Sequence, residues 1–187
     1  MGTSKSTPSP DTPPWRPVRA VLGREGYPAD RQATEIWRGA FGERGTRLIE
    51  DFSQASLALA CRSVNARESV QSAVERYDAI NVREGRVGLA IELGRRALVR
   101  SAARQGTGVD FAAELFSEAT AYYASRDLSS FVSAPGRIET TSDAIKLKST
   151  LRAITAEKVR AVGRPPRDLR RWSAYVENVL SKLRGID

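Results

Sequence analysis

The sequence has no histidine, and that absence excludes the most chemistry. Without imidazole there is no Ser–His or Cys–His nucleophile pair, no histidine metal ligand, and no side chain whose ordinary pKa lies near neutrality. Cysteine is almost as scarce. Cys61 stands alone, so the chain can form neither an internal disulfide nor a thiolate zinc site of its own. Set in Leu57-Ala58-Leu59-Ala60-Cys61, it reads as a small buried helical side chain. Long apolar runs are missing too. None approaches the roughly 18–20 residues of a membrane-spanning helix, and Met1 to Pro14 lacks the apolar core of a secretory signal. The expectation is an aqueous protein, cytoplasmic or housed within a virion or particle, that does not engage a membrane. No phosphate-binding Gly-x-x-x-x-Gly-Lys loop and no dinucleotide fingerprint occurs. Gly106-Thr107-Gly108 reads as a helix break. No catalytic residue, metal site or cofactor is assigned, and an enzyme is the least favoured reading.

What the chain does have is helical periodicity and basic charge. Its 187 residues are 41% apolar and 28% charged, proportions of a globular protein with a core. The expected fold class is all-α: a multi-helix bundle of about six or seven helices behind an extended, Pro-rich N-terminal arm. Residues 1–29 form that arm, broken by Pro8, Pro10, Pro13, Pro14, Pro17 and Pro28. Within it Trp15, Val18 and Leu22 are the residues able to dock on this subunit or on a neighbour.

From Asp30 the apolar spacing is helical. Asp30 can cap a helix carrying Ile36, Trp37 and Phe41. Stripes follow at Leu48, Phe52, Ala55 and Leu59, at Val70, Ala73, Val74, Tyr77 and Ile80, and at Val87, Ala90, Ile91, Gly94 and Leu98. After a turn at Gln105–Gly108, Phe111, Ala112, Leu115, Phe116, Ala119, Tyr122 and Tyr123 form the next. Residues 30–126 are expected to be a helical core containing an antiparallel hairpin, 83–124. A loop at 127–141, with Pro135-Gly136, separates it from a basic C-terminal helical pair, 142–187. Ser142 can cap the first helix of that pair, with Ala144, Leu147, Leu151 and Ile154 facing inward. Gly163 ends it, Pro165-Pro166 opens the second, and Leu169, Trp172, Val176, Val179, Leu180 and Leu183 line that helix.

Net charge is +8, from 30 basic and 22 acidic residues, which favours polyanionic partners. The excess is uneven: +4 over residues 83–106, −3 over 107–139 and +6 over 140–187. Arg96, Arg100 and Arg104 recur every four residues, as do Asp110, Glu114 and Glu118 after the turn. Each set lies along one helix face. An antiparallel hairpin would bring Arg104 to Asp110, Arg100 to Glu114 and Arg96 to Glu118, an ion-pair ladder within the chain. The same stripes could instead meet between subunits. The C-terminal excess has fewer partners. Lys146, Lys148, Arg152, Arg160, Arg164, Arg167, Arg170 and Arg171 are the expected phosphate contacts, with Arg164, Arg167 and Arg171 on one face of the last helix and its approach. Trp172 is expected in the core, at helical spacing with Leu169 and Val176.

Gly39-Ala40-Phe41-x-x-Arg44, then Ile49-Glu50 and Gln54-Ala55, resembles a stretch in the coat proteins of rod-shaped plant viruses, and Arg104 to Gly108 resembles a later segment of that family. The resemblance covers under a fifth of the chain and has no counterpart after Gly108. It implies a self-assembling helical protein that coats nucleic acid, and no site residue is carried over from it.

The leading expectation is a non-enzymatic protein binding RNA or DNA through phosphates without strong sequence specificity. It would associate with itself through the arm, as a coat, nucleocapsid or packaging protein does. The alternative is a helical adaptor or scaffold for an acidic protein partner, docking through the arm, the loop and the Arg96/Arg100/Arg104 stripe. A small antitoxin-like DNA binder is a third reading.

Overall fold

Apolar residues three and four apart build helices that enclose one of their own number. The structure, a computed structural model, describes residues 28–41, 45–56, 58, 69–103, 107–128 and 140–185. Among them are seven α-helices and no strand. They are α1 (Ala29–Phe41), α2 (Gly45–Ala55), α3 (Val70–Arg83), α4 (Leu89–Ala103), α5 (Gly108–Leu128), α6 (Thr141–Val162) and α7 (Trp172–Arg184), the last entered through a 3₁₀ turn, Leu169–Arg171. The all-α expectation holds. Trp15, Val18, Leu22, Cys61 and Arg104 lie outside the described residues.

The enclosed element is α5. Every residue from Phe111 to Ala121 is buried, because α1, α4 and α6 all pack against it. The sequence permits this. Phe111, Leu115 and Phe116 supply bulk, while Ala112, Ala113, Ser117, Ala119, Thr120 and Ala121 let neighbouring backbones approach. Trp37 of α1 and Phe52 of α2 meet Phe116, with ring centroids 5.9 and 4.9 Å apart. Phe111 meets Trp172 of α7 edge-on at 6.3 Å. Each large apolar side chain buried this way contributes about 1.5–3 kcal/mol. A polar thread crosses the same core. The Trp37 indole N–H donates to Thr120 Oγ1 at 3.0 Å, and that hydroxyl lies 2.9 Å from Thr155 Oγ1, itself donating to the Leu151 carbonyl. These bonds satisfy groups that burial would otherwise penalise by about 1–3 kcal/mol each, and they tie α1, α5 and α6 together.

At Gly94 the lack of a side chain is required. A Cβ there would sit 2.7 Å from the Tyr77 hydroxyl and 3.1 Å from the Ala55 carbonyl, so α4 can cross α2 and α3 only with glycine at that position.

Several local expectations are corrected. Val87 does not join the core stripe. It is 91% exposed, because α3 ends in a turn with Gly85 in the left-handed region, at φ +64°, and α4 starts only at Leu89. Of the expected loop 127–141, residues 127, 128 and 141 are helical, because α5 runs on to Leu128 and α6 starts at Thr141; residues 129–139 lie outside the described residues. Thr140, not Ser142, caps α6. Its hydroxyl accepts from the Asp143 N–H at 3.2 Å and lies 2.7 Å from the Asp143 carboxylate, which depresses that carboxyl's pKa. Asp30 lies within the first turn of α1 rather than at its cap. Pro165-Pro166 does not open α7, which begins six residues later, at Trp172.

Candidate nucleic-acid interface

The basic residues of the C-terminal quarter meet two different fates, and the acidic stripe of α5 decides which. Glu114 and Glu118 project from a helix whose whole circumference is covered, so both are almost fully buried. A buried carboxylate needs a cation. The nearest helix able to supply one is α6, antiparallel to α5. Arg152 Nη2 lies 3.3 Å from Glu114 Oε2 and 2.7 Å from Glu118 Oε1. From the other side, Arg100 Nε of α4 comes within 2.8 Å of the same Glu118 oxygen. That oxygen has no aligned hydrogen bond despite its two close guanidinium groups, so the attraction there is coulombic. Arg152 is also held through its backbone, whose carbonyl accepts from the Ser117 hydroxyl at 3.0 Å.

At the start of α5, Asp110 faces Arg160 at 3.6 Å. Asp110 also accepts from the Thr107 N–H at 2.7 Å and the Thr107 hydroxyl at 2.9 Å. The backbone donor at Thr107 is the main cause of a carboxyl pKa below the usual value, with the Thr107 hydroxyl and Arg160 adding to it.

The ladder therefore exists with different rungs. The expected pairs Arg100–Glu114 and Arg96–Glu118 give way to Arg152–Glu114 and Arg100–Glu118, and Asp110 takes Arg160. Arg96 turns along its own helix to Glu92, at 2.9 Å. The reason is topological. The α5 carboxylates point towards α6 more than towards α4, and a periodicity argument cannot say which neighbour a face will meet.

The same geometry removes Arg152 and Arg160 from the expected phosphate contacts as unpaired cations. Arg152 is half-buried between two glutamates, and Arg160 is shared with Asp110. Lys146 sits near Asp143, at 3.8 Å, and Lys148 is half-buried. Both occupy the start of α6, roughly 25 Å along the helix from Arg164 at 1.5 Å per residue. The eight residues do not form one track.

Arg164, Arg167, Arg170 and Arg171 remain. All four are exposed, and among the described residues none of their side chains pairs with a carboxylate. They stand on the connection from α6 to α7, residues 163–171, whose four arginines and one aspartate leave a charge of +3. The backbone there is not helical until Leu169. Pro165 and Pro166 lack N–H donors and hold the chain extended, so the expected common helix face for Arg164, Arg167 and Arg171 does not form. Asp168 then turns the chain. Its carboxylate accepts from the Arg170 N–H at 3.0 Å and its carbonyl from the Arg171 N–H at 3.0 Å. Arg171, at the cap position of α7, offers no side-chain acceptor, so the positive end of that helix adds to the arginine field.

Two aromatic side chains clamp this connection from beneath. The Trp172 indole N–H donates to the Pro166 carbonyl at 3.1 Å, and the Tyr175 hydroxyl to the Gly163 carbonyl at 3.4 Å. The rings meet edge-on with centroids 5.3 Å apart, and burial raises the Tyr175 hydroxyl to about 12. Trp172 is fully buried, as expected for a core residue. Its second duty, and the whole role of Tyr175, were not foreseen. The available signal was the pairing of two needs: carbonyls in a proline segment that cannot bond to their own neighbours, and buried aromatic tips that require acceptors three residues apart on one helix.

Among the described residues no helix is long and apolar enough to cross a membrane, and no cluster of acidic or cysteine side chains suited to a metal ion forms. Comparison with protein-family models, curated proteins and solved structures yields no match.

Proposed function

We propose that the protein is a non-enzymatic nucleic-acid-binding protein that contacts the phosphate backbone without strong sequence specificity, through Arg164, Arg167, Arg170 and Arg171. One observation carries this reading. After Glu114, Glu118 and Asp110 have taken Arg100, Arg152 and Arg160, four guanidinium groups that pair with no carboxylate among the described residues remain together on one clamped connection. Arginine is suited to phosphate because its planar fork donates two parallel hydrogen bonds and keeps its charge at any physiological pH. Nothing else on the segment is placed to read bases. A self-assembling coat, nucleocapsid or packaging protein is the setting this reading fits.

Titration against a random-sequence oligonucleotide at low and moderate salt tests it. Binding that weakens steeply with salt is expected. No binding at either salt overturns the proposal, and tight binding to an acidic protein in its place would favour an adaptor. Negative-stain imaging with RNA tests assembly, with filaments or particles as the expected outcome.

A further inference from the structure

We infer that the preferred ligand of the 163–171 segment is duplex rather than single-stranded nucleic acid. This rests on the phosphate-binding reading above and adds the strandedness of the ligand. The argument begins with what the segment withholds. Proteins that bind single strands without sequence preference combine a basic groove with exposed aromatic rings on which bases stack. Here the two aromatic residues beside the arginines face the wrong way. Trp172 is fully buried and Tyr175 is 8% exposed. Both polar tips are bonded to the connection's own carbonyls, and Trp172 is locked edge-on against Phe111. Swinging either ring out would break these bonds and open the core. Tyr122 is exposed, but it lies far along α5. Thr120 pairs with Thr155, which places Tyr122 about half a helical turn beyond that level and roughly 16 Å along the axis from the level of Arg164.

What the segment offers is charge at short spacing. Arg164 and Arg171 are seven residues apart, so their Cα atoms are separated by at most about 25 Å. That is less than one turn of a duplex, about 34 Å. All four arginines can therefore meet phosphates on one side of the same turn. A duplex presents one charge per roughly 1.7 Å of axis, and each phosphate neutralised releases more condensed counterion than on a single strand. A site with cations and, among the described residues, no stacking ring gains most from the ligand with the denser charge.

The magnitudes make this testable. Four contacts predict a slope of log affinity against log salt of about −3.6 for a duplex and about −2.8 for a single strand. At 0.15 M salt the difference corresponds to about fivefold tighter duplex binding. Stacking of even one base would add about 1–3 kcal/mol to the single strand, a gain of roughly 5- to 150-fold that would cancel or reverse the order.

The experiment titrates the full chain with a random-sequence duplex of about 20 base pairs and with one of its strands, across a salt series. A steeper slope and tighter binding for the duplex are expected. A single strand bound as tightly as the duplex, or more tightly, overturns the inference while leaving the phosphate-binding reading standing. No binding of either ligand overturns that reading itself. A second readout uses a Trp15→Phe variant, in which the buried Trp37 and Trp172 are the remaining tryptophans. Their fluorescence should be unquenched by the single strand, and strong quenching would show a base stacked on Trp172 and sink the proposal.

Discussion

Arg152 and Arg164 are twelve residues apart in one basic stretch, yet they do opposite things. Arg152 lies between two buried glutamates, where its charge is consumed by the fold. Arg164 stands exposed on a proline-stiffened connection, where its charge is available to a partner. The residue type is the same and the local charge density is similar. What differs is the neighbouring helix: α6 runs along the acidic stripe of α5, and the connection after Gly163 does not. A net charge of +8 therefore overstates what a ligand can meet, and a count of basic residues misplaces it. Cations that satisfy buried carboxylates belong to stability, and those without acidic neighbours are the ones left for the proposed ligand.

Four variants can break or sharpen that contrast. The largest effect is expected from replacing Arg164, Arg167, Arg170 and Arg171 together with glutamine. Removing four phosphate contacts should weaken duplex binding about a thousandfold at 0.15 M salt and flatten the salt slope towards zero. The unfolding free energy from urea titration should stay within about 0.5 kcal/mol of the parent's, as for other surface changes. A large loss of stability in this variant would mean that these arginines are structural after all.

The converse substitution is Arg152→Ala. It leaves Glu114 and Glu118 buried, with Arg100 still beside Glu118. Breaking a buried pair costs about 3–5 kcal/mol, and because Arg152 keeps some solvent contact a loss of about 3 kcal/mol is expected. Thermal melting should fall by roughly 6–12 °C. The folded fraction should keep the parent's salt slope, measured at a temperature below the transition. An unchanged melting point would refute the assignment of Arg152 to the core.

A smaller effect concerns acid. The carboxyl of Asp110 is depressed below its usual value, first by the Thr107 N–H and then by the Thr107 hydroxyl and Arg160. A depressed folded-state pKa contributes stability that is fully present above the unfolded value, near 3.9. That contribution is lost as pH falls through the folded value. Asp110→Asn should therefore flatten the stability–pH curve below about pH 4 and change little at pH 7 beyond a constant offset. Identical acid unfolding of parent and variant would show that Asp110 has no such coupling.

The smallest effect is expected from Tyr175→Phe, which keeps the ring and deletes one long hydrogen bond to the Gly163 carbonyl. Loosening the clamp should reduce duplex affinity about two- to tenfold, the worth of one ordinary hydrogen bond. The salt slope should not move, because every arginine remains. A changed slope would place the tyrosine at the phosphates themselves.

Much of this molecule was legible before any coordinates. The apolar spacing through Ala73, Val74 and Tyr77, or through Val176, Val179 and Leu180, is enough to predict helices and the faces they bury. The carboxylates at 110, 114 and 118 announced an ion-pair face. Their partners were not legible, because helical periodicity specifies a face and says nothing about which helix it meets. Arg152 and Arg160 were counted among the phosphate contacts for that reason, and the structure gives each of them an acidic neighbour. The proline pair at 165–166 was read as a helix start, since a proline pair is equally compatible with a first turn and with an extended connection. The Asp168 turn and the Trp172 clamp select the second.

Composition and spacing by themselves determined an all-α protein without imidazole chemistry, basic in its C-terminal quarter, with Trp172 in the core. Those properties depend on residue type and on contacts a few positions apart. Only the tertiary structure decided which charges remain for a ligand. The enclosure of α5 forces two glutamates to find arginines sixty ångströms of extended chain or more away in sequence terms, and packing alone brings those groups together.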